Sequence, residues 1–523
     1  MTGWPAAWLT VNDCPAMVRV ALCGLGLLFN NVNPPSGSLQ ISGGTSGFTV
    51  STQAGCQASI VIDDITWIHP SATSNLSGGG SVSLSVDPNN GPAGRSSVVG
   101  VANASGTVVG TFAVTQAGLA TSVPGLTFVS LPPCRVMDTR TTTNPPFNGS
   151  FGPPSFTAGQ TRTVNPSLSS CQVPATAKAY VTNVTLLPQI PGRTNSVTIY
   201  PSDEEQPRYT TASAADGNIV VNAAIIRARS TDGAINLYST DTTDVLIDIA
   251  GYFTDNRAVS NLVYYPLTPC RVVETRAAAR GPGPFGGPSI AAGETRQYQF
   301  PASPNCPIPS GAAAYSMTLT AVPQGPLFFL TVWPAGISTP PTGSSLNSFD
   351  GRIVANAVIV PASANGSIQV YSPNNTDFFI DINGYFAPDD GRTGLSYYPV
   401  TQCTASSSAD ELYSGVFGGP SYPGSPPARS IAVPASPFCA SIPSTAQGFA
   451  VNLTANPHGN VLGFVTLLPT GAQVPTASML NDFQKQVVTN SAIVPAGPLG
   501  SIDVFTNGGP ADMQLMISGY FSR

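Results

Sequence analysis

The chain contains three copies of one ordered series of motifs, and this repetition constrains its fold more than any other feature. The string LPPCRVMDTR (131–140) returns as LTPCRVVETR (267–276). Further landmarks follow in the same order: FGPPS or FGGPS at 151–155, 285–289 and 417–421; asparagine-containing apolar runs at 218–226, 352–360 and 486–494; and GYF at 251–253, 384–386 and 519–521. A repeat of about 134 residues is long enough to enclose a core of its own.

Short runs that alternate apolar with polar residues fill each copy, and they end at Pro, Gly, Asn-Gly or Asp-Gly. This pattern predicts β-strands joined by tight turns. No segment has the apolar stripe of an amphipathic helix. We therefore predict an all-β protein of tandem antiparallel β-sandwich or jelly-roll-like domains. Because the linkers between copies are short, we expect the repeats to form a stiff rod.

The predicted domains follow from these landmarks. A leader or N-terminal arm is followed by a small immunoglobulin-like β-sandwich and the three repeats, the last with a degenerate first motif, at 1–35, 36–120, 121–255, 262–388 and 396–523. Residues 17–29 carry one positive charge and then an apolar run, as in a short secretory leader. A first β-strand or a disordered arm is the alternative.

Composition excludes several classes of function. Only 9% of the 523 residues are charged, against about 25% in average soluble proteins. The net charge is −6 and Lys178 and Lys485 are the only lysines, so no basic stripe could neutralise a nucleic acid. No apolar stretch reaches the roughly 20 residues that a transmembrane helix needs.

Six of the nine cysteines form three pairs, one in each repeat, at nearly constant spacing. We predict one intradomain disulfide per repeat, which requires an oxidising compartment: Cys134 with Cys171, Cys270 with Cys306, and Cys403 with Cys439. Metal binding is disfavoured because each pair stands alone and the chain has two histidines. Cys56 is either a buried thiol or a partner of Cys14 or Cys23.

Charged residues recur at equivalent positions in the first two repeats but not in the third. Thr404 and Met516 replace two of them in the last copy, and this joint loss indicates that the charges contact each other. We predict a structural ion-pair set, with a carboxylate catalytic pair or a cation site as the alternative. The set is Arg135, Asp138, Arg140 and Asp248 in the first repeat, and Arg271, Glu274, Arg276 and Asp381 in the second.

Two further polar positions persist in all three repeats. Asn222, Asn356 and Asn490 lie inside apolar runs, where a side-chain amide could satisfy backbone groups, although a ligand role is the alternative. Asp244, Asp377 and Asp512 open the last strand and are predicted to form turns.

Catalytic and cofactor motifs are absent from the sequence. His69 and His458 lie outside the repeated landmarks, and no nucleophile elbow, zinc-protease motif, phosphate loop or dinucleotide fingerprint is present. We expect neither enzymatic activity nor a cofactor or metal.

The stretch from about Ser36 to Gly118 resembles the BACON family, a bacterial carbohydrate-associated domain. The resemblance rests on SGFTVSTQAGCQASI, ITWIHP, GGGSVSLSVDPNNGPAGRSSVVGVA and FAVTQAG, in that order. It implies a small immunoglobulin-like sandwich and binding to carbohydrate or mucin. Trp67 would then either pack in the core or stack on a sugar.

The repeats resemble a module of secreted actinobacterial and acidobacterial proteins with the pattern P-C-R-V-x-D-T-R, A-N-A-x-I-V and D-x-x-G-Y-F. The third copy departs from it at the first motif. Two functions remain open for a secreted or cell-surface protein of this kind. One is non-catalytic adhesion to surface glycans or other extracellular polymers. The other is self-assembly into a filament or surface layer, in which the N-terminal arm would exchange a strand with a neighbouring copy.

Overall fold

The computed structural model describes residues 38–39, 44–50, 57–62, 66–71, 76, 80–87, 95–103, 108–116, 124–143, 146–189, 195–281, 283–475 and 477–523. The predicted leader or arm at 1–35 and Cys14, Cys23 and Cys56 lie outside these residues. The chain forms two compact units. The first comprises the strands before residue 123 and Ala435–Ser441, and the second comprises Pro124–Pro434 and Ile442–Arg523.

The described part of the first unit contains two small sheets. Their strands are β1 (Ser38–Leu39), β2 (Gly44–Val50), β3 (Ala58–Ile62), β4 (Ile68–Pro70), β5 (Gly80–Val86), β6 (Arg95–Asn103) and β7 (Val108–Gln116). One sheet has the order β1-β7-β6-β3 and the other β2-β5-β4. Alternate side chains of both sheets meet in one apolar core around Trp67 and Ile68. The immunoglobulin-like topology and the BACON resemblance stay predictions.

The three repeats have the same succession of eight strands. Repeat 1 contains β8 (Thr127–Asp138), β9 (Thr161–Val164), β10 (Ala179–Pro188), β11 (Asn195–Pro201), β12 (Ala212–Ala214), β13 (Val220–Arg227), β14 (Ile235–Ser239) and β15 (Thr243–Thr254). Repeat 2 contains β16 (Leu262–Glu274), β17 (Thr295–Gln299), β18 (Ala314–Pro323), β19 (Phe328–Pro334), β20 (Leu346–Ser348), β21 (Val354–Pro361), β22 (Ser367–Tyr371) and β23 (Thr376–Pro388). Repeat 3 contains β24 (Ser396–Ser407), β25 (Arg429–Ala432), β26 (Gly448–Asn456), β27 (Gly463–Pro469), β28 (Leu480–Asp482), β29 (Val488–Pro495), β30 (Ser501–Asn507) and β31 (Asp512–Ser522).

Helical structure in the described residues is limited to single turns. One α-helical turn, α1 (Ala277–Arg280), follows β16. Short 3₁₀ turns lie at Gly149–Phe151, Pro166–Leu168, Phe300–Ala302, Gly415–Phe417, Val433–Ala435 and Pro498–Gly500. None of the helices in this part of the chain is long and apolar enough to cross a membrane.

Each repeat places an inner sheet against an outer sheet, both antiparallel. The inner sheets have the orders β13-β10-β15-β8, β21-β18-β23-β16 and β29-β26-β31-β24, and those of repeats 1 and 2 join edge to edge into eight strands. The outer sheets have the orders β12-β11-β14-β9, β20-β19-β22-β17 and β28-β27-β30-β25. In repeats 1 and 2 an apolar core fills the space between the two sheets. The all-β prediction is confirmed.

The first strands of the three repeats close a ring of backbone hydrogen bonds. Leu126 of repeat 1 pairs with Tyr397 of repeat 3, Leu395 of repeat 3 pairs with Tyr264 of repeat 2, and Leu262 of repeat 2 pairs with Phe128 of repeat 1. The leucines occupy one equivalent position and the aromatic residues another. Each repeat therefore contacts both others, in the same way, around a pseudo-threefold axis.

Six aromatic side chains pack beside these bridges. Ring centroids lie 4.5 Å apart for Phe128–Phe386, 4.9 Å for Tyr264–Phe521 and 4.4 Å for Tyr397–Phe253. These contacts run from repeat 1 to 2, from 2 to 3 and from 3 to 1. None of the six side chains is more than 1% exposed. We call this cluster the aromatic ring.

The closing GYF motif is explained by this packing. Successive residues of a strand face opposite sides, so Tyr252 packs in the core of repeat 1 while Phe253 joins the aromatic ring. A Cβ atom on Gly251 would lie 2.5 Å from the ring of Phe128. The glycine therefore leaves space for the aromatic residue of the first strand. Gly384 and Gly519 do the same for Tyr264 and Tyr397.

The structure differs from the expected stiff rod. The three sandwiches are not independent and do not lie along a line. Their inner sheets have apolar residues on both faces, so the face that points away from the core must also be buried. The repeats cover it for one another. Repeats 1 and 2 each have a core of their own, but no repeat leaves its inner sheet exposed to solvent along the aromatic ring.

Substitution of one ring member should destabilise the whole second unit. We expect Phe386→Ala to lower the free energy of unfolding by about 3–5 kcal/mol, since it removes a fully buried phenyl group. Chemical denaturation of the full chain measures this. Phe349→Ala, at an exposed position, serves as the control and should change stability by less than about 1 kcal/mol. Similar losses for the two variants would contradict the packing described above.

Candidate functional site

The predicted disulfides are present in all three repeats. Cys134 bonds to Cys171 and Cys270 to Cys306, and Cys403 and Cys439 are likewise disulfide-bonded. Each bridge ties the first strand of a repeat to the segment that precedes its third strand. A bridge over a loop of this length stabilises by roughly 3–4 kcal/mol through loop-closure entropy. The three bridges favour an oxidising, extracellular environment.

The predicted ion-pair set forms two buried clusters, one in each of the first two repeats. In repeat 1, Arg135 Nε lies 2.6 Å from Asp248 Oδ1 and its Nη1 lies 2.7 Å from Asp138 Oδ2, which Arg140 also contacts at 2.6 Å. Burial raises the pKa of Asp138, but hydrogen bonds and charge from both arginines outweigh it and leave the pKa lowered.

Repeat 2 reproduces this arrangement. Arg271 bonds to Asp381 at 2.8 Å and to Glu274 at 2.9 Å, and Arg276 reaches Glu274 at 2.6 Å. Every carboxylate is paired with an arginine. The arrangement is therefore that of structural ion pairs, in which the carboxylates are held by arginines, rather than of two carboxylates free to act in catalysis.

The retained aspartates do not form turns as predicted. Each is the first or second residue of its last strand, and its carboxylate accepts hydrogen bonds from two hydroxyl groups of distant motifs. Asp377 accepts from Thr275 at 3.0 Å and from Ser289 at 2.7 Å. Asp244 and Asp512 accept from the equivalent hydroxyls: Thr139, Ser155, Ser408 and Ser421. The aspartate thus joins the end of the first strand to the FGGPS loop.

The retained asparagines link neighbouring repeats. Asn356 Oδ1 accepts from the backbone N–H of Ala223 in repeat 1 at 3.1 Å, and Asn490 Oδ1 accepts from that of Ala357 in repeat 2 at 3.1 Å. Each amide nitrogen donates to a carbonyl of its own repeat: Thr211, Ser345 and Met479. These asparagines lie on β13, β21 and β29, the edge strands of the inner sheets, whose unpaired N–H groups need partners.

The third link of this cycle is not formed. The N–H of Ser491 donates to Asn490 Oδ1 at 2.9 Å instead of to repeat 1. Asn222 Oδ1 is buried and has no hydrogen-bond partner among the described residues.

Trp67 is only 3% exposed and lies in the core of the first unit, so it is not available to stack on a sugar. Both histidines contact an aspartate. His69 lies 2.9 Å from Asp87 and His458 lies 2.5 Å from Asp512. Within the described ranges, no cluster of three or more His, Cys, Asp or Glu side chains could hold a metal ion.

A pocket on the pseudo-threefold axis, lined by many polar side chains, is the candidate site. Equivalent segments of the three repeats line it, within 213–222, 346–356 and 480–490. We call it the axial pocket. Its cavity volume is about 80 Å³, well above the roughly 10–15 Å³ that one water molecule needs.

One tight turn from each repeat forms the wall of the axial pocket. The turn residue with positive φ is Gly217 in repeat 1 and Gly351 in repeat 2, where φ is 76° and 78°. Lys485 holds this position in repeat 3 with a φ of 64°. The left-handed region costs a non-glycine residue roughly 1–2 kcal/mol, and such strain often occurs at functional sites.

Arg352 connects two of the three walls. Its guanidinium contacts Asp216 of repeat 1 and lies 2.5 Å from Asp350 of its own repeat. Burial raises the pKa of Asp216, but hydrogen bonds from Asn218 and the charge of Arg352 outweigh it and leave the pKa lowered. Both carboxylates are therefore ionised and paired at neutral pH.

Asp482 of the third wall is buried without such a partner. It is 1% exposed, and its Oδ1 accepts from the N–H groups of Gln484 at 2.9 Å and Gln486 at 3.3 Å. Its Oδ2 has no hydrogen-bond partner among the described residues. Burial raises the pKa of Asp482 despite these backbone bonds and the nearby charge of Arg352.

An exposed phenylalanine lies at the rim of the pocket. Phe349 lines the axial pocket and is 39% exposed, and its ring forms an edge contact with Phe328 at 5.5 Å. Phe483 occupies the equivalent position in repeat 3 and is 44% exposed. Repeat 1 has Ala215 there.

No protein-family model matches this chain, and no curated protein matches it either. The resemblances described from the sequence therefore stay predictions.

Sequence reasoning found the asparagines at the base of the axial pocket but missed its rim. Asp216, Phe349, Arg352 and Asp482 were not singled out, because residue types at these positions differ between repeats. One signal was available. The asparagines are 134 residues apart, and each follows a turn at constant distance, so any closed arrangement of the repeats brings these turns together.

Replacement of the unpaired carboxylate should stabilise the protein. Because burial raises the pKa of Asp482, folding favours its protonated form. The wild type therefore loses stability as pH rises from the ordinary aspartate range, about 3.9, through the raised pKa. We expect Asp482→Asn to raise the free energy of unfolding at neutral pH by roughly 1–3 kcal/mol.

Denaturation across a pH series measures this difference, which should shrink as pH falls to the ordinary aspartate range. Asp350→Asn is the charge-matched control, and it should not stabilise because it breaks a pair with Arg352. The account of this residue is contradicted if Asp482→Asn has a lower free energy of unfolding than the wild type, or if the difference between the two is constant with pH.

Proposed function

We propose that this protein is a non-catalytic extracellular or cell-surface protein that binds glycans at the axial pocket and so mediates adhesion. The observation that carries the proposal is the pairing of an exposed phenylalanine ring with polar side chains in one pocket. Phe349 lines the axial pocket together with Asp216, Asn218 and Arg352, and Phe483 is exposed at the equivalent position of repeat 3.

The chemistry of this opening suits a sugar. A pyranose ring has an apolar C–H face that packs on an aromatic ring, while its hydroxyl groups both donate and accept hydrogen bonds. Carboxylates and side-chain amides supply acceptors, and the guanidinium of Arg352 supplies donors in a fixed plane. Ligand sites commonly combine apolar surface with a few placed polar groups in this way.

The same residues argue against catalysis at this site. Hydrolysis of a glycosidic bond requires one carboxyl group as acid and another as base or nucleophile. Asp216 and Asp350 are each held by Arg352. No histidine or cysteine is among the described residues that line the pocket.

Two features outside the pocket agree with a glycan-binding role. The disulfides favour a location outside the cell, where glycans are displayed. The BACON resemblance of the first unit, itself a prediction, implies carbohydrate association.

Removal of Phe349 together with its repeat 3 equivalent, Phe483, should weaken glycan binding. We expect the double variant Phe349→Ala/Phe483→Ala to bind about tenfold or more weakly than the wild type, since each aromatic contact contributes about 1 kcal/mol. A glycan array would identify the ligand and calorimetry would then measure affinity. Leu168→Ala removes an apolar side chain that is more exposed, 74% accessible, and lies outside the pocket, so it should leave affinity unchanged.

Absence of glycan binding by the wild type would overturn the proposal. Concentration-dependent growth of particles in light scattering, without glycan binding, would instead favour the alternative of a self-assembling filament or surface-layer subunit. The N-terminal arm at 1–35, which that alternative invokes, lies outside the described residues.

A further inference from the structure

The axial pocket departs from threefold symmetry in one chemically specific way. Ala214, Ser348 and Asp482 occupy equivalent positions at the end of β12, β20 and β28. Repeat 1 thus has no polar group there, and repeat 2 has a hydroxyl that donates to the carbonyl of Arg352 at 2.7 Å. Only repeat 3 places a carboxylate at this position.

Two residues that line this pocket, Asp482 and Asn222, each have one buried oxygen atom that lacks a hydrogen-bond donor. Asp482 Oδ2 and Asn222 Oδ1 belong to side chains that are 1% and 2% exposed, and neither has a partner among the described residues. Both atoms can only accept hydrogen bonds when Asp482 is ionised. Leaving such atoms unsatisfied costs about 1–3 kcal/mol each, so a ligand that satisfies them must be a donor.

The charge at this position requires more than a neutral donor. Arg352 is the nearest cation, and it is already engaged by Asp216 and Asp350. Lys485, in the turn of repeat 3 that follows Asp482, is exposed and is not among the residues that line the pocket. Three aspartates therefore line the pocket with one arginine, which leaves an excess of two negative charges among its lining residues.

We propose that the axial pocket takes the ammonium group of an amino sugar, with Asp482 as its counter-ion. This inference rests on the proposed glycan-binding function and names the class of glycan. A primary ammonium offers three donors and one positive charge on a single atom, which matches two unsatisfied acceptors and one unpaired carboxylate. The sugar ring attached to it would pack on Phe349 at the rim.

Other ligand classes fit these atoms less well. A divalent cation prefers six or more oxygen ligands, and the described residues contain no group of acidic side chains able to hold one. A neutral hydroxyl satisfies one acceptor but supplies no charge. An anion would meet the excess negative charge.

The experiment compares two ligands that differ only in this group. Calorimetry on the full chain would use a β-1,4-linked tetramer of glucosamine and the same tetramer fully N-acetylated, at a pH where the free amines are charged. We expect the wild type to bind the amine form roughly tenfold or more tightly, as for a hydrogen-bonded charge pair.

Variants of Asp482 should abolish this preference. Asp482→Asn keeps an oxygen for the backbone N–H groups of Gln484 and Gln486, and Asp482→Ser introduces the residue that repeat 2 has at this position. Both should bind the two tetramers equally. Asp255→Asn removes one charge outside the pocket, where the side chain is 39% exposed, and should retain the preference. Thermal melting verifies that each variant is folded.

The outcomes separate this inference from the proposed function. Equal affinity of the wild type for the two tetramers, with both lost in Phe349→Ala/Phe483→Ala, overturns the amine specificity and leaves glycan binding in place. A preference that survives in Asp482→Asn and Asp482→Ser overturns the role of Asp482. Binding of neither tetramer overturns the inference, and the glycan array then decides the proposed function on its own.

Discussion

The contact of each first-strand aromatic residue with the closing phenylalanine of another repeat is the interaction on which the second unit depends. It fixes the three inner sheets around one axis and buries six aromatic side chains that would otherwise lie on exposed sheet faces. Burial of a phenyl group contributes on the order of 2–3 kcal/mol, so the ring is a large part of the association of the repeats. The glycine of GYF is required by the same contact, because any side chain there would overlap the aromatic ring.

The loss of charges in repeat 3 coincides with a difference in the repeat that follows it in the cyclic arrangement. In repeat 1 the carboxylate of Asp248 faces Gly343 of repeat 2, where a Cβ atom would come within 2.7 Å of it. In repeat 2 Asp381 accepts from the N–H of Ser478 in repeat 3 at 3.3 Å. The position equivalent to Gly343 in repeat 1 is Tyr209, which is buried. Repeat 3 has Met516 in place of the aspartate.

Sequence patterns predicted local chemistry well and assembly poorly. Cysteine spacing led to three disulfides, and the joint loss of charges led to the correct ion-pair partners, because both depend on residues of a single repeat. Closure of the repeats was not predicted, because Phe128 and Tyr264 look like ordinary members of alternating strands. The missed indication was the adjacent apolar pair Tyr252 and Phe253, which requires cover on both faces of one strand. The pocket could not be predicted without that closure, because its walls come from three repeats.

Distances between the repeats test the cyclic arrangement most directly. Ala175, Ser310 and Ser444 are exposed and occupy equivalent turns, each directly after a proline. In each turn the backbone N–H two residues farther along donates a hydrogen bond to the carbonyl of that proline. Spin labels introduced there in pairs as unnatural amino acids would avoid the disulfide-bonded cysteines. Pulsed electron paramagnetic resonance should give closely similar distances for all three pairs. A distance between repeats 1 and 3 about twice that between neighbours would indicate a rod and contradict the closed ring.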